Sequence, residues 1–228
     1  MEKNIDFAAG GYLPASFLDW EAHISAVIFC LGCNFRCPWC HNGELALGRG
    51  EPLGLAQILA DIKRRAAFLD GVVISGGEPT LQPGLPDLAR AITALGLPVK
   101  LDTNGSRPEV IEALLNEGLV EHIAMDVKAP LDAAAYERLT GTRVNVEKIR
   151  SSMEIIKSRA PSYEFRTTYV PALHTREDLL ALREALLGEP WRVQCFKPNG
   201  CLDEKFLSAE AAKAEELRRL LPDVVVRG

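Results

Sequence analysis

Four of the six cysteines in this chain of 228 residues lie within eleven positions, from Cys30 to Cys40. The spacing Cys33-x3-Cys37-x2-Cys40 brings three thiolates close enough to bind one metal centre. Three thiolates on a four-iron cluster leave one iron open to another molecule, whereas an electron-carrying cluster is usually closed by four cysteines. Zinc is the alternative, with Cys30 or His41 as the fourth ligand, although zinc sites usually pair two Cys-x2-Cys units across a longer loop. The loop therefore predicts a metal centre, and its spacing favours an iron–sulfur cluster.

Two glycines follow a predicted strand directly, in the segment Ser75-Gly76-Gly77-Glu78-Pro79. Because glycine has no Cβ, such a turn lets backbone N–H and C=O groups approach a ligand closely. The alternative is an ordinary turn between a strand and a helix. The turn is thus a candidate ligand-binding element.

Charged side chains occur at three further predicted strands. Asp102 and Asn104 end the third strand. Asp126 and Lys128 end the fourth, where a separation of two residues places both side chains on one face. Arg166 lies within the fifth strand, where an arginine is costly to bury without a partner. The alternatives are a helix cap for an Asp or Asn, a plain salt bridge for Asp126–Lys128 and a surface position for Arg166. Asp102 and Asp126 would also suit a small hard cation, which prefers oxygen ligands.

The elements that must position these residues alternate between short β-rich runs and longer helical stretches. Strands are predicted at residues 26–29, 72–75, 99–103, 122–127, 164–170 and 192–196, and residues 224–226 could add a late edge strand. Helices are predicted at residues 55–69, 87–95, 108–117, 146–158, 176–187 and 208–220, where apolar residues recur with helical spacing. Such repeats form right-handed βαβ units and a mostly parallel sheet. Six units are fewer than the eight of a complete barrel, so we predict an α/β fold, an incomplete (βα)6 TIM-like barrel with its chemistry at the C-terminal ends of the strands.

The composition is that of a globular domain, with 47% hydrophobic and 25% charged residues and a formal net charge of −5. This balance excludes a disordered, collagen-like or coiled-coil chain and gives no overall attraction to nucleic acid or to anionic membranes. No apolar run approaches the ~20 residues that span a bilayer, and the N-terminus lacks a signal-peptide pattern, so we expect a cytoplasmic protein. We predict a single domain over residues 1–228, with a core at about 20–200 and a C-terminal helix and tail at 201–228.

The cysteine segment, with Trp39 before its last cysteine and His41-Asn42 after it, resembles the radical S-adenosylmethionine (SAM) enzymes. More narrowly, it resembles the activating enzymes of glycyl-radical enzymes. The segments Ser16-Phe17-Leu18-Asp19-Trp20 and Ala26-Val27-Ile28-Phe29 resemble the lead-in of the activating proteins of anaerobic ribonucleoside-triphosphate reductase. The resemblance covers about residues 11–198, and the partial (βα)6 barrel of this family agrees with the unit count above.

The resemblance implies two cofactors, a [4Fe–4S] cluster and SAM. The catalytic cysteines that would hold the cluster are Cys33, Cys37 and Cys40. The residues implied to contact SAM are Trp39, His41, Gly76, Gly77, Glu78, Asp102, Asn104, Asp126, Lys128 and Arg166. Gly77→Val should then weaken SAM binding and leave the iron content normal. Cys30 should be dispensable, while Cys195 and Cys201 have no place in the family pattern.

The resemblance also implies a reaction. One electron from reduced flavodoxin or ferredoxin cleaves SAM to methionine and a 5′-deoxyadenosyl radical, which removes a Cα hydrogen from one glycine of a partner protein. The implied partner is the anaerobic reductase, with pyruvate formate-lyase as the nearest alternative. Two other classes stay open: radical chemistry on a small molecule or a peptide, and a non-enzymatic zinc or iron–sulfur protein.

Overall fold

One eight-stranded sheet organises the computed structural model, which describes residues 5–228. The strands are β1 (Ala9–Ser16), β2 (Ser25–Cys30), β3 (Gly71–Gly76), β4 (Val99–Thr103), β5 (His122–Asp126), β6 (Ser162–Tyr169), β7 (Trp191–Cys195) and β8 (Val225–Arg227). The helices are α1 (Gly43–Ala46), α2 (Leu55–Arg65), α3 (Leu85–Thr93), α4 (Pro108–Asn116), α5 (Ala133–Thr140), α6 (Val146–Arg159), α7 (Arg176–Ala185) and α8 (Ala214–Leu220). Residues 1–4 lie outside the described residues. The prediction that the N-terminus is not a signal peptide rests partly on them and stays a prediction.

Neighbouring strands in the sheet follow the order of the chain, from β1 to β8. β1 runs antiparallel to β2, and each strand from β2 onward runs parallel to the next. The six predicted strands are β2 to β7, and the late edge strand is β8. The prediction of an α/β fold, an incomplete TIM-like barrel with a mostly parallel sheet, is thereby confirmed.

β2 and β3 form because their aliphatic side chains are buried on both faces, as is typical of strands in a parallel sheet. On one face, Ala26 and Ile28 of β2 belong to the main hydrophobic core. On the other face, Val27 of β2 and Val73 of β3 pack on Trp20, which fills the barrel interior near the first residue of β3. Apolar packing thus fills the interior beside β2 and β3, whereas β4 and β6 bring the buried charged side chains of Lys100 and Glu164 to the same level of the barrel.

Three elements have no counterpart in the sequence prediction: β1, α1 and α5. β1 contains Gly10, Gly11 and Pro14, which are residues of low β-propensity. α1 has four residues and α5 has eight, too few for an apolar periodicity to develop. The predicted C-terminal helix at 208–220 is too long. It begins only at Ala214, because residue 208 ends a 3-10 turn that is capped by Asp203 and residues 209–213 form no regular structure.

Ion pairs link the loop between β1 and β2 to the last two strands. Glu21 in this loop lies 2.6 Å from Arg192 of β7 and 2.9 Å from Arg227 of β8, measured between carboxylate oxygen and guanidinium nitrogen. Arg192 also pairs with Glu164 of β6. We call these four residues the Glu21 clasp. It connects the two ends of the sheet at the N-terminal side of the barrel.

Residues 5–228 contain no helix that is long and apolar enough to cross a membrane. β8 pairs with β7, so the predicted C-terminal tail contributes a strand to the sheet. The predicted boundary between core and tail, at about residue 200, remains a prediction.

Candidate active site

A cavity of about 210 Å³ lies at the C-terminal ends of β2 to β6. Parallel strands bring their C-terminal ends to one edge of the sheet, and each strand supplies part of the lining. All of the predicted site residues line this one cavity: Cys33, Cys37, Trp39, Cys40, His41, Gly76, Gly77, Glu78, Asp102, Asn104, Asp126, Lys128 and Arg166. The structure thus brings together residues that are up to 133 positions apart in the chain, from Cys33 to Arg166.

The cysteine loop, residues 31–42, is held by the two short helices that sequence patterns do not predict. The Cys33 N–H donates to the Ala46 carbonyl of α1 at 3.0 Å. The Trp39 indole N–H donates to the Leu139 carbonyl of α5 at 3.0 Å. α1 and α5 therefore position the loop from two sides.

Burial affects two thiols of the cysteine loop, those of Cys33 and Cys37. Burial raises the pKa of the Cys33 thiol, and it raises that of Cys37 to about 12. Such thiols keep their protons until a metal binds and displaces them. Among residues 5–228, no three His, Cys, Asp or Glu side chains converge tightly enough to hold a single metal ion. Cys30, considered above as a fourth zinc ligand, is buried in the hydrophobic core and is not among the residues that line the cavity.

The glycine turn, residues 76–78, packs directly on the backbone of the cysteine loop. Gly77 N donates to Cys30 O at 3.0 Å, and Glu78 N donates to Gly32 O at 2.8 Å. A Cβ on Gly77 would lie 2.0 Å from Gly32 O, and a Cβ on Gly76 would lie 2.3 Å from Cys30 N. A side chain on Gly77 would therefore meet the backbone of the cysteine loop, so we expect Gly77→Val to displace that loop as well as to obstruct a ligand.

The carboxylate of Glu78 is buried among protein donors. Its Oε1 accepts from Thr80 N at 3.1 Å, from Thr80 Oγ1 at 2.6 Å and from Thr103 Oγ1 at 2.7 Å, while Oε2 accepts from Asn104 N at 2.7 Å. Burial raises the pKa of the Glu78 carboxyl, and these hydrogen bonds oppose the rise. The geometry gives Glu78 a positioning role between the glycine turn and the end of β4.

Two carboxylates in the cavity share one arginine. Arg166 Nη1 lies 3.4 Å from Asp102 Oδ1, and Arg166 Nε lies 2.9 Å from Asp126 Oδ1. Lys128 Nζ is 3.1 Å from Asp126 Oδ2, and Lys100 Nζ is 3.1 Å from Asp102 Oδ1. Burial alone would raise the pKa of both carboxyls. The cations outweigh burial, so the pKa of Asp102 is lowered and that of Asp126 falls to about 2. The surface position considered for Arg166 is wrong, and the Asp126–Lys128 salt bridge is present inside the cavity.

Aromatic rings border the charged groups. Lys128 Nζ lies 5.2 Å from the centroid of the buried Trp39 ring, which is a cation–π contact. His41 stacks on Phe196 with 5.9 Å between ring centroids, and its Nε2 donates to Lys197 O at 2.9 Å. Trp39 thus lies beside Lys128, and His41 lines the same cavity; their roles as SAM contacts stay predictions.

Three residues outside the predicted set hold the charged side chains in place. Ser75 Oγ donates to Asp102 Oδ2 at 3.0 Å, and Lys100 pairs with the other oxygen of Asp102. His174 donates from Nε2 to the Lys128 carbonyl at 3.1 Å. The position of Lys100, two residues before Asp102 on one strand face, is a signal that sequence reasoning missed. Ser75 and His174 contact residues of other elements, so no regular spacing in the sequence indicates their contacts.

The radical SAM superfamily model matches residues 27–186, which is more than half of the chain. The chain belongs to this superfamily. Members of the family use a [4Fe–4S] cluster and SAM, which confirms the prediction of both cofactors.

One relative covers nearly the whole chain. A protein of Methanocaldococcus jannaschii, provisionally named a glycyl-radical enzyme activating enzyme, is 36% identical over 216 residues, which are 92% of this chain and 88% of that protein. The 7-carboxy-7-deazaguanine synthase of Neisseria meningitidis is 36% identical over 52% of this chain and 50% of its own. The pyruvate formate-lyase-activating enzyme of Clostridium pasteurianum is 31% identical over 52% of this chain and 51% of its own. The alignments with the last two relatives thus span about half of their lengths.

A solved structure supports the fold. Streptococcus suis SuiB, bound to the precursor peptide SuiA, matches with a TM-score of 0.69 at 15% identity, over 89% of this chain and 48% of SuiB. At this level of identity the likeness shows the fold alone.

The residues at the cavity fit the two cofactors of the family. A four-iron cluster takes one thiolate on each of three irons, so its ligands need not converge on one point. Asp102 Oδ1 is buried and makes ionic contacts but no hydrogen bond among the described residues. It is therefore able to accept one from a ligand hydroxyl or ammonium group.

Proposed function

We propose that this chain is an activating enzyme that installs a glycyl radical on a partner enzyme. The observation that carries the proposal is the alignment with the M. jannaschii protein, because it extends over 92% of this chain and 88% of that protein. An alignment of this extent includes the cysteine loop, the barrel and the C-terminal ends of its strands.

The partner that we propose is an anaerobic ribonucleoside-triphosphate reductase. The segments Ser16-Phe17-Leu18-Asp19-Trp20 and Phe165-Arg166-Thr167-Thr168, which resemble that subgroup, support this choice. Both segments bear on the site: Trp20 fills the lower interior of the barrel, and Arg166 joins the two carboxylates. Reduced flavodoxin or ferredoxin is the proposed electron donor.

In this proposal Cys33, Cys37 and Cys40 hold the cluster, and Cys30 takes no part because it does not line the cavity. The cluster and SAM, when bound, together supply the reductive cleavage of the sulfonium and the radical that takes the glycine Cα hydrogen. The chain itself keeps the cysteine loop fixed between α1 and α5.

The remaining task of the chain is to bind and orient SAM, which carries an ammonium group, a carboxylate and two ribose hydroxyls. Asp102 and Asp126 accept hydrogen bonds from the donors, with Asn104 beside them, while Lys128 and Arg166 attract the carboxylate. The side chains of Lys128 and Asp102 are only 13% and 12% exposed, so water screens these contacts weakly. Carboxylates and cations thus lie side by side in the cavity, which suits a ligand whose methionine end is zwitterionic.

A glycine of the partner protein suits this cavity as the residue that loses its Cα hydrogen. Its Cα carries no side chain, so a partner's backbone can pass into a narrow mouth. Trp39 and His41 line the cavity and narrow it. The partner would have to extend a loop out of its own core to reach this end of the barrel.

The test is radical formation on a partner subunit. Cluster-loaded protein is reduced with dithionite, given SAM and mixed with the anaerobic reductase subunit. We expect a glycyl doublet in the electron paramagnetic resonance spectrum and one 5′-deoxyadenosine per radical. When the subunit contains α-deuterated glycine, deuterium should appear in the deoxyadenosine. A radical on pyruvate formate-lyase alone would overturn the choice of partner and leave the activity intact.

Radical chemistry on a small molecule is the second candidate. The 36% identity to a 7-carboxy-7-deazaguanine synthase over half of this chain favours it. SAM cleavage with dithionite, together with no radical on either glycyl-radical subunit, would support this candidate over activation.

A further inference from the structure

A second cavity, a groove of about 300 Å³, adjoins the cysteine loop. Phe35, which is 3% exposed, lines both this groove and the cavity that contains Cys33. One buried side chain therefore separates the groove from the proposed cluster site. None of the residues proposed to bind SAM or the cluster lines the groove.

The groove is positively charged, although the chain as a whole carries a net charge of −5. Arg107, Arg143 and Lys148 line it, and their side chains are 46%, 92% and 45% exposed. Glu109 lies 3.3 Å from Arg107 and 3.8 Å from Lys148, and Glu137 lies 3.6 Å from Arg143. Three cations against two carboxylates leave a positive excess.

Two helix N-termini lie at the groove, and each carries one glutamate in its first turn, Glu109 in α4 and Glu147 in α6. α4 begins directly after Arg107, and α6 begins directly after its capping residue Asn145, and both residues line the groove. The first turn of a helix presents unpaired N–H groups and a partial positive charge. The groove thus favours a negatively charged surface over a neutral one.

Hydrogen bonds connect the groove to a cluster cysteine. Asn34 Nδ2 donates to Ser106 Oγ at 2.9 Å, and both residues line the groove. Asn104 Nδ2 donates to Asn34 Oδ1 at 2.9 Å and lies 3.8 Å from Cys33 Sγ. Electron tunnelling weakens steeply with distance and favours bonded over empty paths. A carrier seated in the groove would therefore have a short, continuous path to the Cys33 sulfur.

We propose that this groove is the docking surface for an acidic one-electron carrier protein. The inference rests on the proposed function, since that function requires one electron per SAM cleaved. In the docked complex the carrier loses one electron and the cluster gains it, and no atom or proton is transferred. The mouth of the cavity stays available to the glycine-bearing partner, so the two proteins approach different surfaces.

The test uses cluster-loaded protein and an acidic flavodoxin in its reduced form. The measured quantity is the rate at which the cluster absorbance bleaches, divided by the rate with dithionite, which needs no docking. For the double variant Arg143→Glu with Lys148→Glu, we expect the ratio to fall by about tenfold or more at low salt, because charge steering accelerates association by such factors. The wild-type ratio should fall as salt is added, and that of the double variant should not.

The matched control is Lys63→Glu with Arg64→Glu. Both residues are exposed in the last turn of α2, at the opposite end of the barrel from the groove. The control changes the net charge by the same amount, and Arg64, like Arg143, is an exposed arginine with a carboxylate neighbour. We expect its ratio to stay within about twofold of the wild type, since steering depends on where the charge lies.

Equal ratios for the two double variants would overturn the proposal. So would normal bleaching by flavodoxin combined with a lowered radical yield on the reductase subunit, because the groove would then bind that partner. The bleaching assay contains no SAM and no glycyl-radical subunit. Charge-dependent bleaching without radical formation on any subunit would therefore support the docking surface while the proposed function fails.

Discussion

Arg166 determines the ionisation of the two carboxylates that it touches. A buried carboxyl normally has a raised pKa because its charged form is desolvated. In the cavity, Arg166 and Lys128 reverse this effect for Asp126, whose pKa falls from its usual 3.8 to about 2. Asp126 is therefore charged near neutral pH, and its charge contributes to the stability of the fold.

We predict that Asp126→Asn lowers the free energy of unfolding by an amount that depends on pH. A carboxyl whose folded-state pKa is lowered stabilises the fold above its unfolded pKa, and this stabilisation is lost as the pH falls through the folded pKa. The difference from wild type should be constant above about pH 5 and shrink between the usual pKa of 3.8 and about 2. Urea unfolding of the cluster-free protein as a function of pH measures it.

Glu51 is exposed, so Glu51→Gln is the control for this series. Its free energy of unfolding should differ little from that of the wild type. A gap between Asp126→Asn and wild type that stays unchanged down to pH 2 would contradict the stabilising role of the Asp126 charge.

We predict that Cys37→Ala abolishes cluster binding and that Cys30→Ala does not. Both thiols are buried, but only that of Cys37 lines the cavity. Iron analysis after anaerobic reconstitution should give about four irons per chain for wild type and Cys30→Ala and far fewer for Cys37→Ala. If Cys30→Ala loses as much iron as Cys37→Ala, four cysteines bind the metal and no iron is open to SAM.

The members of the candidate site could be predicted because each motif follows a strand, and parallel strands bring their ends together. Their partners could not. Glu78 is surrounded by Thr80, Thr103 and Asn104, and this arrangement depends on how two turns meet in space. The sequence pattern predicts which side chains lie at the end of a strand, but it does not predict the contacts between loops.

Among the elements, the turn after β3 contacts the cysteine loop through its backbone. We predict that Gly77→Ala lowers the iron content as well as SAM binding, because its Cβ would lie 2.0 Å from Gly32 O in the cysteine loop. Overpacking of this kind costs about 1–3 kcal/mol, and here part of that strain falls on the loop that carries the cysteines. Iron content and SAM affinity of the reconstituted variant are the measurements.

Gly11→Ala on β1 is the matched control. Its Cβ would lie 3.3 Å from the Phe29 side chain, which can shift, whereas a backbone carbonyl cannot. We expect iron content close to that of wild type. A Gly77→Ala protein with full iron and weak SAM binding would restore the original expectation that this turn serves the ligand alone.

The predicted elements agree with the structure where the apolar pattern is long and regular. In α3, Leu85, Leu88, Ala89 and Ile92 are buried at helical spacing, and β4 has the bounds that were predicted. β1 is not predicted because its glycines and proline have low β-propensity, and only its pairing with β2 stabilises it as a strand. α5 is not predicted because its eight residues form little more than two helical turns, too few to show a periodic apolar pattern.

At the scale of the whole molecule, the Glu21 clasp connects the first loop to the last two strands. We predict that Glu21→Gln lowers the free energy of unfolding by roughly 0.5–1 kcal/mol at low salt, since it removes two exposed ion pairs of a network. The loss should diminish at high salt, where exposed charges are screened. Urea unfolding at two salt concentrations measures both effects.

Glu44→Gln provides the comparison, because Glu44 pairs only with the nearby Arg49 among the described residues and both side chains are largely exposed. It should change stability little at either salt concentration. Equal effects of Glu21→Gln and Glu44→Gln would show that the clasp is no more than a pair of surface contacts.

Two backbone hydrogen bonds join the glycine turn to Cys30 at the end of β2 and to Gly32 at the start of the cysteine loop, so the two segments move as one unit. A ligand that orders one of them reduces the conformational entropy that the other has left to lose on binding. Such coupling is reciprocal by thermodynamic necessity. Cluster and SAM should therefore bind with positive cooperativity, so that each slows the escape of the other and SAM protects the iron against chelators.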